Sequence, residues 1–152
     1  LKGSFGGAGE IGHMPLASSG AACGCGVDGC AEPMASGSGL VSRAREAGLA
    51  VTNAREVFES SDPRAARVIE HMIDHLARML GAAKALLNPD VIVLGGGVAQ
   101  AGEQLFGPLR ARCEHYMLAS HRKHLRLVAA TLGEQAGVIG AGLGAWQAHG
   151  EG

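Results

Sequence analysis

The feature that most constrains the fold is a long periodic segment that runs into a short apolar stretch. In residues 63–87, large apolar side chains recur every three or four positions, which places them on one face of an α-helix. Asp62 and Pro63 supply a capping carboxylate and a first-turn proline, and Asn88-Pro89 ends the helix. Val91–Leu94 is a continuous apolar run between turn signals, which is typical of a buried strand in a parallel sheet.

The rest of the sequence continues this alternation of helices and strands. We predict a loop-rich region with short strands at most over residues 1–37, a short helix over 38–48 and a helical turn over 53–59. The long helix over 63–87 and the strand over 91–94 come next. A helix over 101–117, a second strand over 125–130 and a helix of small residues over 134–147 follow. This order indicates a single α/β domain that contains a pair of parallel strands.

Composition excludes several other classes of protein. With 47% apolar residues, 18% charged residues and a formal net charge of -1 in 152 residues, the chain is not disordered. Its near-neutral charge and 3% aromatic content argue against a nucleic-acid surface. The sequence has neither a membrane-spanning apolar run nor a recognisable leader, so we expect a cytoplasmic protein. The 25 glycines indicate backbone that turns tightly and approaches ligands closely.

Three cysteines and one histidine have the spacing of a metal site. Cys23, Cys25 and Cys30 form a C-x-C-x4-C loop that is rich in glycine, and three thiolates suit a soft tetrahedral ion such as zinc. A closed site needs a fourth ligand, for which His13 fits better than Asp28, because the aspartate lies inside the loop. The alternative is three thiols packed as small apolar groups, but no apolar pattern surrounds them.

The fourth cysteine has a different setting. Cys113 lies on the apolar face of the predicted helix over residues 101–117, among Leu109, Tyr116 and other large apolar side chains. A core thiol is therefore the better interpretation for this residue.

Several motifs together resemble the ROK family (repressors, open reading frames, kinases). They are the run Gly9–His13, the cysteine loop through Glu32, and Ala35–Gly37, at the spacing that the family shows. The similarity continues through the Asn88–Gly97 segment to Gly137–Ala141. It covers nearly the whole chain but corresponds only to the C-terminal part of a ROK protein.

The resemblance implies a fold and a set of site residues. The fold is the actin-like ATPase fold, which has two ribonuclease-H-like α/β domains and binds its ligands in the cleft between them. This chain would be the sugar- and zinc-binding C-terminal part, over residues 1–152. The implied zinc ligands are His13, Cys23, Cys25 and Cys30. The implied sugar contacts are Glu10, His13 and Glu32. The residues that would border the nucleotide are Gly95, Gly96 and Gly97.

Chemistry supports these implied roles, although each has a structural alternative. A carboxylate can accept two hydrogen bonds from sugar hydroxyls, and a histidine held by zinc through one nitrogen keeps the other for a substrate. Glu10 alone could be a solvated loop residue, and Glu32 could cap a nearby helix. The Gly95–Gly97 segment could be a tight strand-to-helix turn, and we expect Gly140–Gly144 to pack a helix of small residues closely against the sheet.

The implied activity is the phosphorylation of a hexose by ATP and Mg²⁺, as in a glucokinase. The four aspartates are Asp28, Asp62, Asp74 and Asp90, and none matches the catalytic aspartate of the family, so we assign no catalytic residue here. Alternatives are an N-acetylhexosamine or fructose kinase, a sugar-sensing ROK repressor whose DNA-binding part lies elsewhere, and a zinc-stabilised module without a sugar site. The resemblance also makes a homodimer possible.

Overall fold

The predicted alternation of helices and strands is present in the computed structural model, which describes residues 3–18 and 20–150. Helices α1 to α7 and strands β1 and β2 occur in the order α1 Ala31–Ala35, α2 Gly37–Glu46, α3 Ala54–Glu59, α4 Pro63–Leu87, β1 Ile92–Leu94, α5 Glu103–Tyr116, α6 Ala119–Arg122, β2 Leu127–Ala129 and α7 Ala136–Gly150. Short 3₁₀ turns lie at Ile11–His13, Gly97–Ala101 and Gly133–Gln135.

Helix α4 is the central element, and the prediction of its bounds is confirmed. Its first turn is capped by the Asp62 carboxylate, which accepts a hydrogen bond of 2.8 Å from the backbone N–H of Arg64. Asn88 ends the helix in the left-handed region with φ of 41°. The apolar face packs mainly on α5, whose Leu105, Leu109 and other buried side chains have the predicted helical spacing.

The two strands are parallel, as predicted, but only one face of the pair is covered. Val93 pairs with Val128, and these side chains are 55% and 40% exposed. Ile92 and Leu94 point to the opposite face, which packs on the core. The prediction of a buried strand is therefore wrong for the outer face, because within the described residues no element covers it.

Helix α7 forms where the helix of small residues was predicted, but it does not pack closely on the sheet. A Cβ added at Gly140, Gly142 or Gly144 would have no atom within 4 Å, and Trp146 is 78% exposed. The predicted packing of Gly140–Gly144 is therefore wrong for the part of the chain that is described. Small residues permit a close approach, but they offer little apolar surface to drive it.

The region over residues 1–37 contains one helix that was not predicted. Helix α1 buries Ala31, Met34 and Ala35, and this spacing of three and four was the available signal. At five residues, the helix is too short for the pattern to stand out. No helix among the described residues has both the length and the apolar character needed to cross a bilayer.

Candidate metal centre and adjoining cavities

Backbone pairing brings the histidine turn and the cysteine loop together. Pro15 and Cys30 form an antiparallel bridge, and the N–H of Ala31 donates a 2.9 Å hydrogen bond to the carbonyl of Met14. Gly29 has φ of +74°, and a Cβ there would lie 2.2 Å from the carbonyl oxygen of Ala17. Only glycine can hold the loop this close to the preceding segment, so that His13 and Cys30 become neighbours.

The four predicted metal ligands converge. One donor atom from each of His13, Cys23, Cys25 and Cys30 lies within 4.8 Å of all the others. Cys23 Sγ is 3.5 Å from His13 Nδ1, and Cys25 Sγ is 3.5 Å from Cys30 Sγ. Ordinary zinc bond lengths imply edges of about 3.8 Å between sulfurs and about 3.6 Å between sulfur and nitrogen in a tetrahedron. The donor set and its spacing therefore fit such an ion.

Asp28 does not belong to this group of donors. The three thiols of the group differ in environment. Burial raises the pKa of Cys30 to about 12, and its Sγ donates to the carbonyl of Val27 at 3.4 Å. By contrast, hydrogen bonding from the backbone of Val27 lowers the pKa of Cys25. The hydrogen bond with Cys23 raises the pKa of His13.

The carboxylates predicted to contact a sugar lie on either side of His13. Glu10 Oε2 is 3.7 Å from His13 Nε2, and Glu32 Oε2 is 3.9 Å from His13 Nδ1. Both carboxylates are largely exposed, so their oxygens are free to accept hydrogen bonds from a solute. In this arrangement His13 Nδ1 faces the cysteines, while Nε2 faces Glu10.

A cavity of about 610 Å³ lies beside the cysteine loop. His13, Cys23, Cys25 and Glu32 line one side of it, and serines from α2 and from its capping residue line the other. Glu10 does not line this cavity, although its carboxylate faces the same histidine.

A second cavity, of about 860 Å³, lies between α2, α3 and the end of β1. The Gly95–Gly97 turn forms one wall, and Gly96 has φ of +76°. Apolar lining comes from Val41 and Val98, and polar lining comes from Arg45 and Thr52-Asn53. Sequence reasoning missed this polar wall, because no local pattern links α2 and the loop before α3 to a glycine turn more than forty residues away.

The two cavities adjoin at one helix. Ser36, Ser38 and Ser42 line both of them. Ser36 caps α2, since its Oγ accepts a 3.1 Å hydrogen bond from the N–H of Gly39. The only signal in the sequence for this shared wall was the capping serine itself, which predicts a helix start and says nothing of a cavity.

None of the aspartates lines either cavity in the described part of the chain. Asp62 caps α4 and pairs with Arg64 at 2.7 Å. Asp74 lies within α4, where it pairs with Arg78 and Arg112.

The sequence model of the ROK family matches residues 1–147. The chain belongs to the ROK family. It is 39% identical to a glucokinase from Halalkalibacterium halodurans over 161 aligned residues, which cover 93% of this chain and 48% of that protein. This ROK chain thus spans about half the length of the curated relatives it matches.

Solved structures agree with this assignment. A ROK hexokinase from Thermus thermophilus superposes with a TM-score of 0.86 at 35% identity, over 100% of this chain and 52% of that one. A ROK glucokinase from Streptomyces griseus, solved with glucose and AMPPNP, has a TM-score of 0.80 at 28% identity, over 93% and 52% of the two chains.

A third similar structure is a ROK transcriptional regulator that is a homologue of the Escherichia coli MLC protein. Its TM-score is 0.67 at 25% identity, over 85% of this chain and 36% of that one. Together with the ROK kinases, it implies that this ROK chain has the actin-like ATPase fold.

Proposed function

We propose that this ROK chain is the sugar-recognition and zinc-binding portion, over residues 1–152, of an ATP-dependent hexose kinase of the glucokinase type. The observation that carries the proposal is the convergence of Glu10 and Glu32 on His13, which itself faces three cysteines. A cavity with a glycine turn lies across a single helix from this group. The similarity to glucokinases supports hexose as the substrate class.

In this proposal the sugar binds at the carboxylates and His13. A pyranose offers several hydroxyl groups on one face, and the carboxylates of Glu10 and Glu32 can each accept hydrogen bonds from two of them. His13 Nε2 faces Glu10 at 3.7 Å, so a hydroxyl placed between the two groups could contact both. Hydrogen bonds to charged groups are the stronger kind, which suits a small, uncharged and well-hydrated ligand.

Zinc would be held by His13, Cys23, Cys25 and Cys30. Four protein ligands close the coordination sphere, and a closed sphere is typical of a structural site. When bound, the ion would link the cysteine loop to the histidine turn, in addition to the backbone hydrogen bonds between these segments. The residue that benefits is His13, because a ring held at Nδ1 has a fixed orientation and keeps Nε2 for the sugar.

ATP, with Mg²⁺, would bind in the cavity beside Gly95–Gly97. The turn lacks side chains, which lets a nucleotide approach the backbone closely. Val41 and Val98 suit the faces of a base, and the Arg45 guanidinium, which uses only its Nε–H on the carbonyl of Val51, would keep its other N–H groups as donors. The Streptomyces griseus glucokinase was solved with an ATP analogue, which supports a nucleotide as the second ligand.

The base that takes the proton from the attacking hydroxyl would come from the portion of the relatives that this chain does not span. Phosphoryl transfer to an alcohol needs such a group close to the hydroxyl. Asp62 and Asp74 are engaged by arginines, and neither lines a cavity in the described residues. This chain would therefore recognise the sugar and leave proton removal to other residues.

The test is a coupled ADP-release assay of the complete polypeptide over a panel of glucose, fructose and N-acetylhexosamines. We expect turnover with a hexose and none without sugar, and the purified 152-residue chain should be inactive. The matched variant is Glu10→Gln, which keeps size while removing charge. ADP release that does not depend on any sugar in the panel would contradict the proposal.

A sugar-sensing repressor is the second candidate, and the similar transcriptional regulator favours it. A repressor would keep the zinc loop and the sugar site while lacking sugar-dependent ADP release. Binding of the complete polypeptide to promoter DNA, relieved by a hexose, would support this candidate over the kinase.

A further inference from the structure

The three loop cysteines differ in how readily a solute can reach them. Cys25 is exposed, Cys23 is half-buried and Cys30 is buried. Glycines flank Cys25 on both sides, and a Cβ added at Gly24 or Gly26 would meet no atom within 4 Å. A small reagent can therefore approach the Cys25 sulfur directly from solvent.

The buried partner of Cys25 is already in place. Its Sγ lies 3.5 Å from that of Cys30, and a disulfide would need this distance to close to about 2.05 Å. The intervening loop includes Gly26 and Gly29, both with positive φ, so the backbone between the two cysteines can adjust.

Cys23 is the poorer partner for Cys25. A single residue separates the two in sequence, which hinders a bridge between them. Its Sγ instead lies 3.5 Å from His13 Nδ1. Cys25 and Cys30 are therefore the pair that the 3.5 Å contact between their sulfurs favours.

We propose that Cys25 and Cys30 form a peroxide-reactive pair whose conversion to a disulfide opens the metal centre and releases His13. The disulfide would be a reversible modification beside Glu10 and Glu32, the carboxylates that are proposed to contact the sugar. The effect on sugar binding rests on the proposed function, whereas formation of the bridge does not.

The chemistry is balanced with hydrogen peroxide as the oxidant. The Cys25 thiolate attacks one peroxide oxygen, the O–O bond breaks, and the departing hydroxide takes a proton from solvent to form water, because a thiolate that holds zinc carries no proton of its own. The Cys30 thiolate then attacks the sulfenic sulfur, the S–O bond breaks, and the departing hydroxide takes a second proton from solvent to form a second water. The two sulfurs lose two electrons, and one peroxide is reduced to two waters.

Loss of two thiolates would dismantle the donor set. Metal ligation requires thiolate, and a disulfide sulfur no longer supplies it. Only His13 and Cys23 would remain of the four donors, which is too few to retain zinc in a closed tetrahedral site. The imidazole of His13 would then lose the partner that sets its orientation beside Glu10.

The experiment treats the zinc-loaded complete polypeptide with hydrogen peroxide in stoichiometric steps. Released zinc is measured with a chromogenic chelator, and the peptide from Gly3 to Arg43, which trypsin yields intact, is analysed by mass spectrometry. We expect one zinc released for each peptide that loses two hydrogens. Backbone fragments should appear at Gly24 and be absent between Cys25 and Cys30. Dithiothreitol with added zinc should reverse both changes.

Variants separate this pair from the other thiols. Cys113→Ser should react as the parent does, because that thiol is buried in the core. Cys23→Ser should still form the bridge, and Cys25→Ser should not, even if both hold zinc less tightly. Zinc release without the loss of two hydrogens, a bridge that includes Cys23 or Cys113, or unreactive thiols under excess peroxide would each overturn the proposal.

Sugar affinity is read separately by calorimetry before and after oxidation. We expect the bridged protein to bind hexose about tenfold more weakly or worse, as when a group that orients a ligand-contacting residue is removed. Equal affinity in both states would overturn the coupling to His13. A reduced protein that binds no hexose would instead refute the proposed function, and the bridge would still be judged by mass and zinc release.

Discussion

The Tyr116 hydroxyl on α5 donates a 2.7 Å hydrogen bond to the Asp74 carboxylate on α4. The same carboxylate pairs with Arg78 at 2.9 Å and with Arg112 at 3.0 Å, so one acidic group joins the two central helices. Burial alone would raise the pKa of Asp74, but the hydrogen bonds from Tyr116 and Arg78 outweigh it and lower the pKa. Asp74 is therefore an ionised structural group and not a proton acceptor for catalysis.

Tyr116→Phe should reduce the free energy of unfolding by about 1 kcal/mol, because it removes one hydrogen bond to a charged acceptor and leaves the ring in place. Urea unfolding of the complete polypeptide, followed by circular dichroism, measures the change. Glu114→Gln, at an exposed site on the same helix, is the control and should have little effect. Equal unfolding midpoints for Tyr116→Phe and the parent would mean that the contact contributes nothing.

Gly81→Ala should destabilise the protein, although alanine is the better helix former by about 1 kcal/mol. A Cβ at position 81 of α4 would lie 2.5 Å from the carbonyl oxygen of Tyr116, so α5 would have to move away. Gly140→Ala in α7 is the matched control, because a Cβ there meets no atom within 4 Å. We expect opposite signs for the two changes in thermal unfolding, and two stabilising results would contradict the close helix contact.

Asp62 should make stability fall at acidic pH. The hydrogen bonds from Arg64 lower the pKa of Asp62 to about 2, whereas an unfolded aspartate titrates at about 3.9. A lowered folded pKa contributes stability above about pH 4, and this contribution is lost as the pH falls towards about 2. Asp62→Asn should therefore be less stable than the parent at neutral pH, with a difference that narrows below about pH 4.

Urea titrations at about pH 7, 4 and 2.5 measure this narrowing. The control is Glu59→Gln, at an exposed surface ion pair with Arg55. A difference between Asp62→Asn and the parent that stays constant across the three conditions would exclude ionisation as its cause.

One zinc per polypeptide is expected from the convergence of His13 with the three loop cysteines. Metal analysis by mass spectrometry, after dialysis under reducing conditions, measures the ratio. Cys30→Ser should lower it well below one, and Cys113→Ser should leave it unchanged, since burial in the core raises the pKa of Cys113 to about 11. A parent protein without bound zinc would remove the metal from the proposal.

Glu10→Gln should weaken hexose binding about 10- to 100-fold while leaving nucleotide affinity nearly unchanged. The carboxylate faces His13 at 3.7 Å and does not line the cavity beside Gly95–Gly97. Calorimetric titration of each ligand into the complete polypeptide gives the two affinities, and Glu114→Gln serves as the surface control. If both affinities fell equally, Glu10 would have a general structural role.

Elements that depend on local sequence could be predicted. The bounds of α4 followed from the spacing of its apolar residues and from its caps at Asp62 and Asn88. The parallel pairing of β1 with β2 followed from the helix between the strands. The exposure of Val93 could not be predicted, because the residue type of an apolar strand position does not indicate whether another layer packs on that face of the sheet.

The candidate site also contains residues that could be predicted from the sequence and residues that could not. Cys23, Cys25 and Cys30 have a spacing that is informative by itself, and His13 could be added because one donor was lacking. The polar wall formed by Arg45 and Asn53 has no such signal. These residues face Gly95–Gly97 only after α2 and α3 have packed beside β1, and tertiary placement of this kind leaves no period or motif in the sequence.

Three serines at the cap and along α2 have a thermodynamic consequence. Ser36, Ser38 and Ser42 line both cavities, so a molecule seated in either one contacts the same turns of helix. By linkage, any ordering of those turns by one ligand alters the affinity for the other by an equal factor in each direction. Substitutions at these serines should therefore shift the dissociation constants of both ligands together, whereas substitution of Glu10 should shift that of the sugar alone.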